Sequence, residues 1–214
     1  MSGLFSDQSG LPPERSAAEK SPDTFFRDRI LTVPNVLSLL RLVLALVLFG
    51  VMERGAWGTA TWLFVVAAST DWVDGWYARR FGQVSRLGRI FDPLVDKVIV
   101  CGAYVLLAER GGASAIAPWM AVVVIVRELV VTAVRAEMER VGEDFSAGPV
   151  GKLKMVLQCV AIGLELAARA WPETTLGGIG LRPVATVVSW GAIVATIWSG
   201  LEYLLRCRVI FKSP

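Results

Sequence analysis

The sequence predicts an all-α fold: a polytopic membrane protein with six transmembrane helices and a short amino-terminal interfacial helix. Three observations carry that expectation. The 214 residues are 54% hydrophobic with a mean hydropathy of +0.55, and a soluble domain of this length seldom has so many long apolar runs. Six runs approach the roughly 20 residues that cross about 30 Å of hydrocarbon, at about 36–52, 57–78, 93–108, 117–134, 153–170 and 184–205. Lys and Arg also alternate in density from one connecting segment to the next.

Taken in order, residues 1–22 are polar, with Pro, Ser and mixed charge, and are expected to be disordered. They have no apolar core of the kind a cleavable signal peptide needs, so none is expected. In 23–34, Phe25, Phe26, Arg29, Ile30 and Val33 fall roughly on one helical face. An interfacial helix is expected there, with Arg27 and Arg29 near lipid headgroups; a plain start to the first span is the alternative. Residues 35–214 form the six-helix domain. The first run opens at Pro34-Asn35 and contains Arg41. The second ends in Asp71-Trp-Val-Asp74-Gly75-Trp-Tyr-Ala78-Arg79. The third follows Gly88, with Asp92 read as an N-cap and Pro93 as the first helical residue. The fourth carries Arg127-Glu128 and, eight residues on, Arg135. Ser146-Ala-Gly-Pro-Val-Gly151-Lys152-Leu-Lys154 opens the fifth, and the sixth is apolar except for Glu202.

Charge gives the orientation. Fifteen of the 22 Lys and Arg residues lie in the amino-terminal tail, the second and fourth connections and the carboxyl-terminal tail; Arg54, Arg110, Arg169 and Arg182 lie on the other side. By the positive-inside rule, both termini and the aspartate-rich connection face the cytoplasm. Arg41, Lys97 and Arg127 remain inside apolar runs. The net charge of +3 is modest, and no nucleic-acid partner is expected. There is no histidine, which excludes Ser-His or Cys-His nucleophiles and His-ligated zinc. Cys101, Cys159 and Cys207 have neither metal nor redox spacing.

Carboxylates must therefore carry any chemistry. Asp71, Asp74, Gly75 and Ala78 stand at i, i+3, i+4 and i+7, and Gly88, Asp92 and Asp96 at i, i+4 and i+8, so each set shares a helix face. Two helices joined by a short basic connection can point all four aspartates at one place. Such a group repels itself unless cations are bound, and all-oxygen ligands select Mg²⁺, Mn²⁺ or Ca²⁺ over zinc. Two metals would suit phosphoryl chemistry. Gly75 and Ala78 keep the face small, Arg79 can clamp a phosphate, and Ser85 can donate from the connection. The competing reading makes these aspartates helix caps and partners of Arg79, Arg80 and Lys97. A prenyl-diphosphate synthase would have denser aspartate clusters without the interposed Gly-x2-Ala-Arg.

The ordered pattern Asp-x2-Asp-Gly-x2-Ala-Arg-x8-Gly-x3-Asp-x3-Asp resembles that of the CDP-alcohol phosphatidyltransferases at every position, from Asp71 to Asp96. The resemblance implies that Asp71, Asp74, Asp92 and Asp96 hold two divalent ions, Mg²⁺ or Mn²⁺. It implies that Asp96 is the general base. Gly75, Ala78, Arg79, Ser85 and Gly88 would bind the CDP moiety, with Asn35 as a further contact. The donor implied is CDP-diacylglycerol, the products a phosphodiester and CMP, the setting a membrane lipid phase, and the assembly a homodimer.

The acceptor is read from the second half. Arg127, Arg135, Lys152 and Lys154 would meet near the cytoplasmic side, which fits a phosphorylated acceptor; ordinary positive-inside anchoring is the alternative. Arg-Glu in the fourth run, Gly-Lys-x-Lys before the fifth, and Pro-Asn-x-Leu at the start resemble the family branch whose acceptor is sn-glycerol 3-phosphate. Ser38 and Met155 depart from that branch, which has Thr at the first position and often at the second. Phosphatidylglycerol or inositol phosphate remain alternative acceptors, and a transporter or a structural membrane protein the non-enzymatic ones.

Overall fold

The computed structural model describes residues 33–81, 86–109, 114–140 and 148–210. The expectations for 1–22 and for most of 23–34 lie outside the described residues. Six helices follow one another: α1 (Val33–Glu53), α2 (Trp57–Phe81), α3 (Arg86–Glu109), α4 (Pro118–Arg140), α5 (Pro149–Ala170) and α6 (Leu181–Ile210). Between α5 and α6 sits a small hairpin of β1 (Thr175–Leu176) and β2 (Ile179–Gly180). Its strands are antiparallel, with Thr175 opposite Gly180.

Each helix covers one of the six apolar runs. All six extend past their run at the same end of the chain's up-and-down course: α2, α4 and α6 at their carboxyl ends, α1, α3 and α5 at their amino ends. The reason is local. Apolarity stops where the chain meets polar surroundings, but Arg, Glu, Lys and Leu still favour helix there. The Asp92–Pro93 reading is corrected by this. The helix already begins at Arg86, so Asp92 is an interior residue and not an N-cap. Pro93 has no N–H for the carbonyl four residues back, and helix on both sides absorbs that loss. At α5 the Pro signal holds: Gly148 is the N-cap and Pro149 opens the helix.

Helix α1 packs against both α2 and α3, α2 against α5, α3 and α6 against α4, and α5 most extensively against α6. The buried core runs through Leu48 and Met52 of α1, Phe64 of α2, Tyr104 and Leu107 of α3, Val124 of α4, Ile162 and Leu166 of α5, and Ile193 of α6. Gly102 permits the close approach of α1 to α3, because a Cβ there would lie 2.2 Å from the Phe49 ring.

Beside this apolar core the bundle also buries polar side chains and exposes large apolar ones. Ser38, Arg41, Glu128, Lys154, Gln158, Glu165, Ser189, Thr196 and Ser199 are buried. Leu39, Leu46, Val122, Leu129, Val187, Val194, Trp198 and Leu201 are exposed. On α6, Ser189, Thr196, Ser199 and Tyr203 line the inner face while Trp190, Val194, Ile197 and Leu201 cover the outer one. Among the described residues, Leu181–Leu205 is the stretch long and apolar enough to cross a membrane by length and composition. Helices α3, α4 and α5 carry ionisable residues within their apolar runs, which lowers their hydropathy.

Candidate active site

Connectivity collects the predicted residues at one end of the bundle. Three residues join α1 to α2, and the two helices pack together; they therefore run in opposite directions, and the start of α1 lies beside the end of α2. Phe81 and Arg86 are five Cα steps apart, so the end of α2 and the start of α3 are at most about 19 Å apart. Asn35 lies in the first turn of α1. Asp71, Asp74, Gly75, Ala78 and Arg79 lie in the last eleven residues of α2, and Gly88, Asp92 and Asp96 in the first eleven of α3. Both predicted same-face spacings fall within continuous helix. These residues enter the description through their helices and not their side chains, and Ser85 lies outside the described residues.

This donor set fits divalent ions chemically. Four carboxylates on two helix ends joined by four residues would offer oxygen ligands alone, which suit hard cations.

Glu128 of α4 is 8% exposed. Its Oε1 accepts from Arg127 Nη1 at 3.1 Å and also from Lys154 Nζ of α5. Arg127 Nε donates to Ser199 Oγ of α6 at 3.2 Å. Arg135 Nη2 donates to the Tyr203 hydroxyl at 2.8 Å. Lys97 of α3 donates to Thr132 Oγ1, and Thr132 in turn donates to the Glu128 carbonyl. Of the four predicted acceptor residues, Arg127 and Lys154 share the Glu128 carboxylate, and Arg135 joins them at the Tyr203 ring, which Arg127 also approaches. Lys152 is exposed; two residues before Lys154, it lies across the helix from it.

Lys97 is the member that sequence reasoning left unassigned. It follows Asp96 directly, so the chain itself ties the basic network to the acidic helix end. Its position as a lone cation in an apolar run was the available signal. Ser199 and Tyr203 were also missed, because α6 reads as a uniformly apolar span and nothing in its sequence marks which face turns inward. Four cationic heads gather here with Glu128 accepting from two of them, an arrangement able to receive a phosphomonoester.

Arg41, a cation inside the first apolar run, is 4% exposed. It lines a cavity of about 30 Å³ with Phe64, Ile99, Met155 and Cys159. Glu165, unexplained by sequence, is 1% exposed at the other end of the bundle. It accepts from Arg169 Nε at 3.0 Å and from the Ala115 N–H at 3.2 Å. Arg169 Nη2 also reaches the Leu107 carbonyl at 2.9 Å, and its guanidinium lies 4.7 Å from the Trp57 ring.

Comparison with known proteins places the sequence in a family. The family model described as CDP-alcohol phosphatidyltransferase matches residues 31–198. The chain is similar to three proteins named CDP-diacylglycerol–glycerol-3-phosphate 3-phosphatidyltransferase. It is 36% identical to that of Bacillus subtilis strain 168 over 144 residues, covering 67% of this chain and 70% of the relative. It is 34% identical to that of Sodalis glossinidius over 187 residues, covering 83% and 96%. It is 35% identical to that of Escherichia coli K12 over 185 residues, covering 82% and 94%.

Proposed function

The chain belongs to the CDP-alcohol phosphatidyltransferase family, and from that premise we propose that it transfers the phosphatidyl group of CDP-diacylglycerol to sn-glycerol 3-phosphate. The products are phosphatidylglycerophosphate and CMP, and the reaction belongs to phospholipid biosynthesis. The relatives' names support this acceptor. The observation that carries it is the network of Arg127, Arg135 and Lys154, tied through Lys97 to the residue after Asp96.

Asp71, Asp74, Asp92 and Asp96 hold two divalent ions, Mg²⁺ or Mn²⁺, whose chemistry is to neutralise charge on the pyrophosphate and the departing CMP. Asn35, Gly75, Ala78, Arg79, Ser85 and Gly88 bind the CDP moiety. Gly75 and Ala78 leave room on the helix face, and Arg79 pairs with a phosphate. The basic network holds the phosphate of the acceptor and turns its primary hydroxyl toward Asp96. Asp96 takes the hydroxyl proton as that oxygen forms its bond to the phosphorus carrying diacylglycerol. The bond from that phosphorus to the CMP oxygen breaks, and CMP leaves with the electron pair. A carboxylate is a weak base for an alcohol, so positioning and electrostatic stabilisation supply most of the acceleration.

The protein sits in the cell membrane as six spans, with both termini and the active site on the cytoplasmic side, and works as a homodimer. The apolar outer faces of α1, α4 and α6 around a polar interior support the membrane placement. The acyl tails of the donor then stay in lipid while the nucleotide and glycerol phosphate arrive from water.

The test is CMP release by the purified, detergent-solubilised protein supplied with CDP-diacylglycerol and Mg²⁺ or Mn²⁺. Glycerol 3-phosphate, phosphatidylglycerol, inositol phosphate and inositol are offered one at a time. Release with glycerol 3-phosphate alone, lost on chelation, is the expected result. Release with another acceptor would keep the chemistry and overturn the acceptor.

A further inference from the structure

Two guanidinium groups of α4 converge on a single aromatic ring of α6. Arg127 and Arg135 are eight residues apart, about 12 Å along the helix. Yet their Cζ atoms lie 5.8 and 5.9 Å from the centroid of the Tyr203 ring. Tyr203 is 5% exposed, and its hydroxyl accepts from Arg135 Nη2 at 2.8 Å. Arg127 is fixed from a second point. Ser199 donates its proton to the Thr196 carbonyl at 3.1 Å, which aims an oxygen lone pair at Arg127 Nε, 3.2 Å away. Between them Gly200 makes room for the arginine stem, since a Cβ there would lie 3.3 Å from Arg127 Cγ.

These contacts anchor two like charges on one ring. A ring face attracts each cation, while the two cations repel one another. A phosphomonoester dianion that meets both would offset that repulsion and find each guanidinium already held, so little ordering would be needed on binding.

We infer that Tyr203 is a positioning residue that presets Arg127 and Arg135 as a two-guanidinium receptor for the phosphate of the small acceptor. The inference rests on the acceptor reading above and deepens it: α6 tunes acceptor affinity without touching the donor.

Steady-state CMP release by the full-length protein in detergent tests this, with glycerol 3-phosphate and CDP-diacylglycerol varied in turn and inorganic phosphate as a competing probe. Tyr203→Leu removes ring and hydroxyl. It should raise KM for glycerol 3-phosphate and the inhibition constant of phosphate about 10-fold or more, with kcat and the KM for CDP-diacylglycerol within about twofold. Tyr203→Phe keeps the ring and should raise the same two constants only about threefold. If Tyr203→Leu does not fold, Tyr203→Phe decides. An unchanged KM for glycerol 3-phosphate in the folded variants, or a loss confined to kcat, would overturn the role of Tyr203. A wild-type enzyme that ignores glycerol 3-phosphate would overturn the acceptor reading and this inference with it.

Discussion

Lys154 and Glu128 are bonded between α5 and α4, and Arg127 shares the same carboxylate oxygen at 3.1 Å. All three are buried or nearly so, which makes the carboxylate a counter-ion of the basic network. Removing one partner of a buried pair costs far more than the pair contributes net, because a charge is left unpaired. Glu128→Ala should therefore destabilise the protein by about 3–5 kcal/mol. The fall in melting temperature in detergent measures it. A variant melting like wild type would mean that the cations are neutralised elsewhere.

Arg127→Ala should act chiefly on the acceptor. KM for glycerol 3-phosphate should rise by about 10-fold or more, as expected for loss of a charge-assisted contact, with the CDP-diacylglycerol KM little changed. Steady-state kinetics with each substrate varied separately resolves the two. A selective effect on CDP-diacylglycerol would assign Arg127 to the donor site.

Asp96→Asn keeps the size of the side chain and removes its capacity to accept a proton. Turnover should fall by at least about 100-fold, within the range of general-base contributions, while CDP-diacylglycerol binding and the melting temperature are largely kept. Near-native turnover would sink the base assignment.

At the far end of the bundle, Arg169 ties α5 to the end of α3 and to Trp57 at the start of α2, and Glu165 holds the backbone before α4. Arg169→Leu should leave Glu165 buried without its cation and lower stability by about 3 kcal/mol or more. Both KM values should stay within about twofold, because this brace is remote from the acceptor network. A changed acceptor KM at unchanged stability would contradict a purely structural brace.

Gly102→Ala tests the α1–α3 approach. A methyl group there meets the Phe49 ring at 2.2 Å, so ring or helix must shift, at about 1–3 kcal/mol for overpacking. Thermal unfolding in detergent reads the loss.

The sequence by itself determined the number of helices and the family. Length and apolarity define each run, and spacing within a helix is fixed by its period. Asp71 with Asp74, and Asp92 with Asp96, could therefore be assigned to common faces from numbering alone. The sequence misled at Asp92–Pro93, because local capping preference is weaker than the drive of the flanking residues to continue a helix. Tertiary structure alone decided which helices touch. Arg127 is about seventy residues of chain away from Ser199 and Tyr203, and no periodicity within α4 or α6 encodes their meeting. Nor could an apolar helix, rich in Val, Trp and Leu, announce which of its few polar side chains turns inward. That choice follows from packing, which buries Ser199 and Tyr203 because Arg127 and Arg135 need partners where water is excluded.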